Sequence, residues 1–502
     1  MSNNALFISD QLHEALALYH TREFDTAHSI CSNIILLDPK QHHAFHILGL
    51  IAFQRHQYSE AVPLIQQAIK LSPHNASFFM SLGDVQRVQE LFEDATESYK
   101  QAINLQPIFP EAFNNLGMVL ANVSANEGAL ICFNEAIKQK PGFSEAFFNR
   151  ANLLRDTHDY EAALKSYDLA ISNNPALLDS YWNKSLVLLT TGNYEEGWPL
   201  FEYRWKCLLS FDANKFNRPL WLGKESLKNK SILLFSEQGY GDTLQFCRFL
   251  PLIAAMGAKI IFAVEKPLFN LMKDFSQEYT LITMDSPLPP SDFQCPLMSL
   301  PLALGTTLNS IPSSQKYLWA DPKKVGEWDL ILGQKNKLRV GLIWAGGARP
   351  NQALLKAVNE RRNISLAQLS LLSTLDVNFY SLQIGKEAQL ALSHQTKIGW
   401  NSNPIEDLTN FISDFSDTAA LIQNLDLIIS VDTSTAHLSA AMGKPTWILN
   451  RYDSCWRWLT HRKDSPWYDS VRLFTQIKFN DWDHVVNEVR EELSQITKAD
   501  CQ

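Results

Sequence analysis

The segment Asp432-Thr433-Ser434-Thr435-Ala436-His437 gathers a carboxylate, hydroxyls and an imidazole directly after the apolar run LDLIISV (425–431) and directly before the small-residue stretch LSAAMG, closed by Gly443. If the run is a strand and the stretch a helix, Asp432, Thr433 and Ser434 stand at a helix N-terminus. Free N–H groups and the positive end of the helix dipole suit a diphosphate there, and the Thr433 and Ser434 hydroxyls can donate further hydrogen bonds. The loop after LRVGLIWA (338–345) supplies Ala345, Gly346 and Gly347, small residues that let backbone amides approach a phosphate. Arg349, Arg361 and Arg362 follow, cations able to neutralise a leaving group. A third junction, SILLF (231–235) into SEQGYGD, offers Gly239 and Gly241 for a tight turn and close backbone approach, with Asp242 at the expected N-cap. A plainer reading stands beside each: Asp242, Thr433 and Ser434 as helix caps, the arginines as a solvated loop. His42, His43 and His46 include an i,i+4 pair, but no Cys or carboxylate cluster completes a metal site, so they read as a solvated face.

These junctions need a scaffold of strands and helices. From about residue 230, SILLF (231–235), KIIFAV (259–264), LRVGLIWA (338–345), NFYSLQI (378–384), LDLIISV (425–431) and PTWILN (445–450) alternate with helical stretches. Apolar runs separated by helices predict parallel sheets in α/β layers. The polar, Pro-containing stretch at about 305–337 breaks the run in two. Two Rossmann-like domains facing a cleft are expected, the first over 208–325 and the second over 326–502.

The first part of the chain is built differently. Prolines fall at Pro39, Pro73, Pro107, Pro141 and Pro175, each 34 residues after the last. On that frame Gly49, Gly83, Gly117 and Ala151 form one small-residue column, Ala27, Ala61, Ala95, Ala129 and Ala163 a second, and Ala68, Ala102, Ala136 and Ala170 a third. Helix pairs need small side chains where their backbones approach, and a Pro just beyond the second helix stops it. The pattern resembles the tetratricopeptide repeat, with five units over about 8–177 and a degenerate sixth pair at about 178–207 that reads as a cap or junction. An α solenoid over 1–207 is expected, and its concave face suits a peptide or protein ligand.

Of 502 residues, 46% are hydrophobic and 19% charged, which describes a chain that folds throughout. The net charge of -9 lies in the first part: residues 1–210 hold 14 Lys+Arg against 23 Asp+Glu, and residues 211–502 hold 30 of each. That balance argues against a nucleic-acid footprint. No apolar run long enough for a membrane span and no basic, apolar leader are present, so the expected location is the cytoplasm. The seven cysteines show no CxxC pair and read as reduced thiols.

The strings SEQGYGDTLQFCRFLPL, WAGG, Arg361-Arg362 before NISLAQL, DFSDTAALIQNLDLIISVDTSTAHLSAAMGKPTWIL and WRWLTHRKDSPWY resemble bacterial tetratricopeptide-repeat proteins. Those carry a C-terminal glycosyltransferase domain related to the ADP-heptose:lipopolysaccharide heptosyltransferases. The resemblance implies a glycosyltransferase-B fold and an inverting, metal-independent transfer from a nucleotide-sugar donor to an acceptor hydroxyl, with no cofactor. It implies Asp242, beside Gly241, as the acceptor-activating base. Asp432, Thr433, Ser434, His437, Arg362, Gly346 and Gly347 become donor-side residues. Two departures stand out: Arg362 replaces the family's lysine, keeping charge but not geometry, and Ser434 replaces its glycine, narrowing the pocket. The repeat-then-transferase layout is also similar to that of protein O-linked N-acetylglucosamine transferases, so the acceptor is expected to be either a protein or a glycan or lipid. Asp481 and Asp483 form a DxD that reads as the cap of the helix beginning HVVNEVREEL. The alternative reading is a non-enzymatic scaffold in which the solenoid binds partners and the second part is degenerate.

Overall fold

The computed structural model describes residues 3–207, 218–273, 275, 279–312, 315–347 and 359–499, and the chain divides into two compact units, 1–184 and 185–502. Arg349 and Cys501 lie outside the described residues. No helix among the described residues is long and apolar enough to cross a membrane.

The first unit is a solenoid of helix pairs running from Asn3–His20 to Tyr160–Asn173. Each second helix stops two residues before its proline: Phe24–Leu37 before Pro39, Tyr58–Leu71 before Pro73, Phe92–Leu105 before Pro107. The pyrrolidine ring removes the N–H that another turn would need. The turn inside each pair repeats at the same period. Arg22, His56, Glu90, Ser124 and His158 all have φ between 60° and 65°, in the left-handed region. An L side chain there costs about 1–2 kcal/mol. The cost is offset by the closing bonds of a Schellman turn, such as Glu23 N–H to the Leu18 carbonyl (2.8 Å) and Asp159 N–H to the Leu154 carbonyl (2.8 Å). The alanines of the second and third columns are all 0% exposed. The glycine column faces large partners sixteen residues on: a Cβ added to Gly83 would lie 2.8 Å from Tyr99, and one on Gly117 2.7 Å from Phe133. Gly117→Val is therefore expected to destabilise the solenoid by about 1–3 kcal/mol, because the ring it meets is already buried and close-packed. A denaturant melt followed by helical circular dichroism reads this, and an unchanged midpoint would show that the column does not set the pair spacing.

Of the three histidines His43 is exposed, as a solvated face would have it, and His46 is the exception. His46 Nε2 lies 2.8 Å from Ser81 Oγ, its ring is 4.6 Å from that of Phe78, and burial pulls the imidazole down to about 4.

The second unit holds two sheets whose strand pairs are all parallel. The first contains β1 (Ser231–Phe235), β2 (Lys259–Val264), β3 (Thr280–Thr283) and β4 (Phe293–Pro296), in the order β3-β2-β1-β4. The second contains β5 (Arg339–Ile343), β6 (Asn378–Ser381), β7 (Ile405–Asp407), β8 (Leu427–Val431), β9 (Thr446–Asn450) and β10 (Val471–Thr475), in the order β10-β9-β8-β5-β6-β7. The chain winds outward from β5 in one direction and from β8 in the other, which makes the β5/β8 junction the switch point where ligands settle beyond the carboxyl ends of such strands. Within the polar stretch 305–337 the chain forms the helix Pro322–Leu332, with the Asp321 side chain accepting from the Lys323 amide (2.8 Å).

The helix Leu178–Thr190 spans the division at 184/185, and the helix Tyr194–Phe201 packs within the second unit. Trp198 Nε1 donates to the Thr306 carbonyl (2.9 Å), and Trp467 Nε1 donates to the Tyr194 hydroxyl (3.0 Å). Arg204 is 1% exposed and donates to both Glu237 oxygens (3.0 and 2.9 Å), to Glu202 (2.5 Å) and to Ser299 (2.7 Å). This buried network fixes the segment that leaves β1.

Candidate functional site

Past β1 the chain runs through Ser236, Glu237 and Gln238, whose φ of 61° is left-handed, into the helix Tyr240–Phe246. The N-cap is Gly239, which corrects the expectation that Asp242 caps with its own position. Asp242 sits at N3, and its Oδ2 accepts the Gly239 amide (3.0 Å). The geometry follows from the turn: the tight exit from the strand brings the N3 carboxylate back over the first free amide. Its other oxygen, Oδ1, accepts from Arg457 Nη2. Nearby, Glu265 at the end of β2 lies 3.1 Å from the Thr243 hydroxyl, and burial raises its carboxyl against hydrogen bonds from its own backbone, Ser236 and Thr243.

Past β8, Thr433 is the N-cap of the helix Ser434–Ala441. Its hydroxyl accepts the Ala436 amide (3.3 Å) and lies 3.0 Å from Ser430 Oγ. The hydroxyl is thus committed to the cap rather than turned outward as expected, while Ser434 and Thr435 are half-exposed. Asp432 Oδ1 lies 3.5 Å from His437 Nε2. A carboxylate only accepts, so the Nε2 facing it carries a proton, and on the other side of the ring Nδ1 lies 2.9 Å from the Tyr468 hydroxyl. The imidazole also stacks on Trp458, with ring centroids 5.2 Å apart and planes 15° from parallel. Burial alone would raise the Asp432 carboxyl. The hydrogen bond and charge of His437, joined by the charges of Arg362 and Arg457, outweigh it and hold the group well below the usual carboxylate range.

At the end of β5 the glycine loop behaves differently from its sequence reading. The Trp344 and Ala345 amides donate to Gln383 Oε1 (3.2 and 2.9 Å), and the Gly346 amide donates to Asn363 Oδ1 (2.9 Å). Two of the three amides expected to face a phosphate are therefore occupied by side-chain carbonyls. What Gly346 provides is room, since a Cβ there would lie 1.7 Å from Arg362 Nη2. Gly347 is exposed and open, and its carbonyl accepts from Asn359 (3.0 Å). The Arg362 guanidinium fills the space over Gly346 and donates from Nη1 to the Asp432 carbonyl (2.7 Å), so it bridges the β5 and β8 ends at the switch point. Arg361 instead pairs with Asp453 (3.1 Å).

The two sheets' loops meet at Gly241. A Cβ there would be 2.9 Å from His437 Cδ2 and 3.5 Å from Ser434 Cα, so only glycine lets the helices Tyr240–Phe246 and Ser434–Ala441 approach this closely. Asp242 and Ser434 are thereby brought to one junction with His437, Asp432 and Arg362, the last two joined through the Asp432 carbonyl. Sequence reasoning missed Arg457, which lies in the β9–β10 connection and donates from Nε to Gln245 (2.9 Å), from Nη1 to Cys455 Sγ (3.2 Å) and from Nη2 to Asp242. Its guanidinium stands 4.4 Å over the Trp456 ring. Burial works against this charge, but the Asp242 carboxylate, followed by Cys455 and Asp432, raises its pKa. The only signal in the sequence was the aromatic and basic density of WRWLTHR. The His484 amide donates to Asp481 Oδ1 (3.2 Å), which fits the capping reading of that DxD.

Residues 47–105 and 148–202 match the tetratricopeptide repeat model, and residues 413–477 match that of glycosyltransferase family 9 (heptosyltransferase). The latter match contains Asp432, Thr433, Ser434, His437 and Arg457, whereas Asp242 and Arg362 lie outside it. Protein FlbA of Caulobacter vibrioides is 29% identical over 325 residues, covering 59% of this chain and 51% of that protein, so the chain spans about half the length of this relative. Among solved structures, YrrB, described as a TPR protein with an unusual peptide-binding site, is 24% identical, covering 37% of this chain and 99% of its own with a TM-score of 0.31. Pseudomonas aeruginosa pilF is 15% identical, with coverages of 42% and 96% and a TM-score of 0.39.

Proposed function

We propose that the second unit is an inverting glycosyltransferase, working in the cytoplasm on a nucleotide-diphosphate sugar. The repeats would recruit the protein that bears or accompanies the acceptor. The observation that carries this reading is the meeting of the two loops at Gly241, which brings an acceptor-side carboxylate within reach of the donor-side helix N-terminus. In this scheme Asp242 takes the proton of an acceptor hydroxyl and the freed oxygen attacks the anomeric carbon. The bond from that carbon to the diphosphate breaks, with the electron pair leaving on the phosphate oxygen. A single displacement inverts the anomeric centre. Arg362 and the N-terminus of the helix Ser434–Ala441 meet the departing charge, so the cations of the site are supplied by side chains and need no metal. The family 9 match over 413–477 supports the donor side of this reading.

The scaffold reading keeps one specific observation in its favour: both Asp242 oxygens and the Ala345 and Gly346 amides already have protein partners. A thermal-shift panel of nucleotide sugars on the full chain separates the two. A donor at about 100 times its dissociation constant adds roughly 2.7 kcal/mol, a shift of a few degrees for a domain of this size. One nucleotide family giving that shift supports the transferase, and no shift across the panel favours the scaffold.

A further inference from the structure

Arg457, from the β9–β10 connection, reaches Asp242 and Gln245 at the start of the helix that follows β1. It donates to Asp242 on the acceptor side, and its charge reaches Asp432 on the donor side. Its side chain is 12% exposed and that of Asp242 15%, so the pair is largely shielded from water and an anion arriving there meets a cation already committed to a carboxylate. We propose that Arg457 is a shared cation, bound by Asp242 when the site is empty and taken over by the donor's diphosphate when it is filled. The inference rests on the transferase reading and adds to it a donor-binding residue and an order of events.

The chemistry explains why such sharing would be useful. A carboxylate held by a guanidinium has one oxygen turned away from any acceptor hydroxyl, and Oδ2 is held by the Gly239 amide. A diphosphate offers the same guanidinium a more highly charged partner that also accepts two parallel N–H bonds. Once Arg457 shifts toward it, Oδ1 is released to accept the acceptor proton. The leaving group thereby gains a cation in the step that frees the base, and an empty donor site leaves the base occupied. Gln245, which holds Nε, and the Trp456 face under the guanidinium allow the planar head to pivot without losing its stem contacts. Because coupling between sites is reciprocal, whatever Asp242 contributes to holding Arg457 must be lost from diphosphate affinity.

That reciprocity gives the test. Uridine, guanosine and adenosine diphosphates, and the matching nucleosides, are titrated calorimetrically into the wild-type chain, Asp242→Asn, Arg457→Gln and the double variant. Asp242→Asn keeps shape and an acceptor atom but removes the competing charge. It should tighten the preferred diphosphate roughly tenfold, at the low end of what a charge-assisted hydrogen bond is worth, and leave the nucleoside unchanged. Arg457→Gln should loosen the diphosphate by about ten- to a hundredfold, and in the double variant the Asp242 effect should vanish. Should Arg457→Gln fail to fold, the Asp242→Asn arm decides by itself. Diphosphate binding by the wild type with equal or weaker binding by Asp242→Asn overturns the shared-cation proposal and leaves the transferase reading standing. No diphosphate binding by the wild type overturns both.

Discussion

Asp242→Asn is expected to lower sugar transfer by about 10²–10⁴-fold, the range that general-base catalysis contributes. The substitution leaves the amide oxygen able to accept from the Gly239 N–H, so the helix start should persist and the loss should be chemical. An N3 contact of this kind is worth about 1 kcal/mol at most, too little to unfold a sheet domain. Removing the charge opposite the buried Arg457 adds a loss of up to about 3 kcal/mol, so a lowered melting temperature with a retained cooperative transition, together with the rate loss, is the expected pair of results. Full turnover by the variant would reduce Asp242 to a helix-start residue paired with Arg457, and the base would have to be sought elsewhere. Glu265, at the neighbouring strand end, is the next carboxylate in reach of the same loop.

The second large effect concerns stability. Arg204→Leu should destabilise the second unit by about 3–5 kcal/mol, because it strips the counter-charge from Glu237, which is 5% exposed. Burial raises the Glu237 carboxyl and Arg204 opposes that rise, so without the guanidinium the group is left to bind a proton or unfold its surroundings. The Met298 amide (3.1 Å) would then be the chief remaining donor known to hold it. Replacing both residues with apolar ones of similar volume should recover much of the loss, since the cost lies in the unpaired charge rather than in the absent attraction. Chemical denaturation of the full chain, followed by tryptophan fluorescence, reads this through the tryptophans of the second unit. A single variant within about 0.5 kcal/mol of wild type would show that the network is not needed to hold the loop after β1.

The strands that were legible in sequence are the interior ones. The six apolar runs correspond to β1, β2, β5, β6, β8 and β9, each flanked on both sides by another strand, whereas β3, β4, β7 and β10 are the four sheet edges. An interior parallel strand is covered on both faces and must read as a continuous apolar run. The edge strands are only three to five residues long and carry polar or proline positions such as Gln294, Pro296, Glu406 and Arg472, which an edge tolerates. The solenoid was legible for a different reason, since its proline and alanine columns answer steric demands at every repeat. Its left-handed turns were not, because Arg22, His56, Glu90, Ser124 and His158 share a backbone conformation and no side-chain chemistry.

The site divides along the same line. Gly241, Gly346, Asp242, Asp432 and His437 could be picked out because a strand-to-helix junction marks where a ligand fits. The partners that modify them could not. Gln383 and Asn363 come from separate segments to occupy the glycine-loop amides, and Arg457 comes from a loop more than two hundred residues after Asp242. Pairings of that kind are set by tertiary packing, for which local sequence has no period.

The proposed donor site at the β5 and β8 carboxyl ends is expected to bind a nucleoside diphosphate. Calorimetry with a nucleoside diphosphate and its nucleoside, on the wild type and on Arg362→Ala, tests it most directly. Arg362 bridges Gly346 and the Asp432 carbonyl, and a charge-assisted contact is worth about 1.5–3 kcal/mol. Arg362→Ala is expected to weaken the diphosphate by roughly ten- to a hundredfold and the nucleoside far less, because only the diphosphate offers the guanidinium a partner. Equal diphosphate affinity in the two proteins, or an equal loss for the nucleoside, would contradict it.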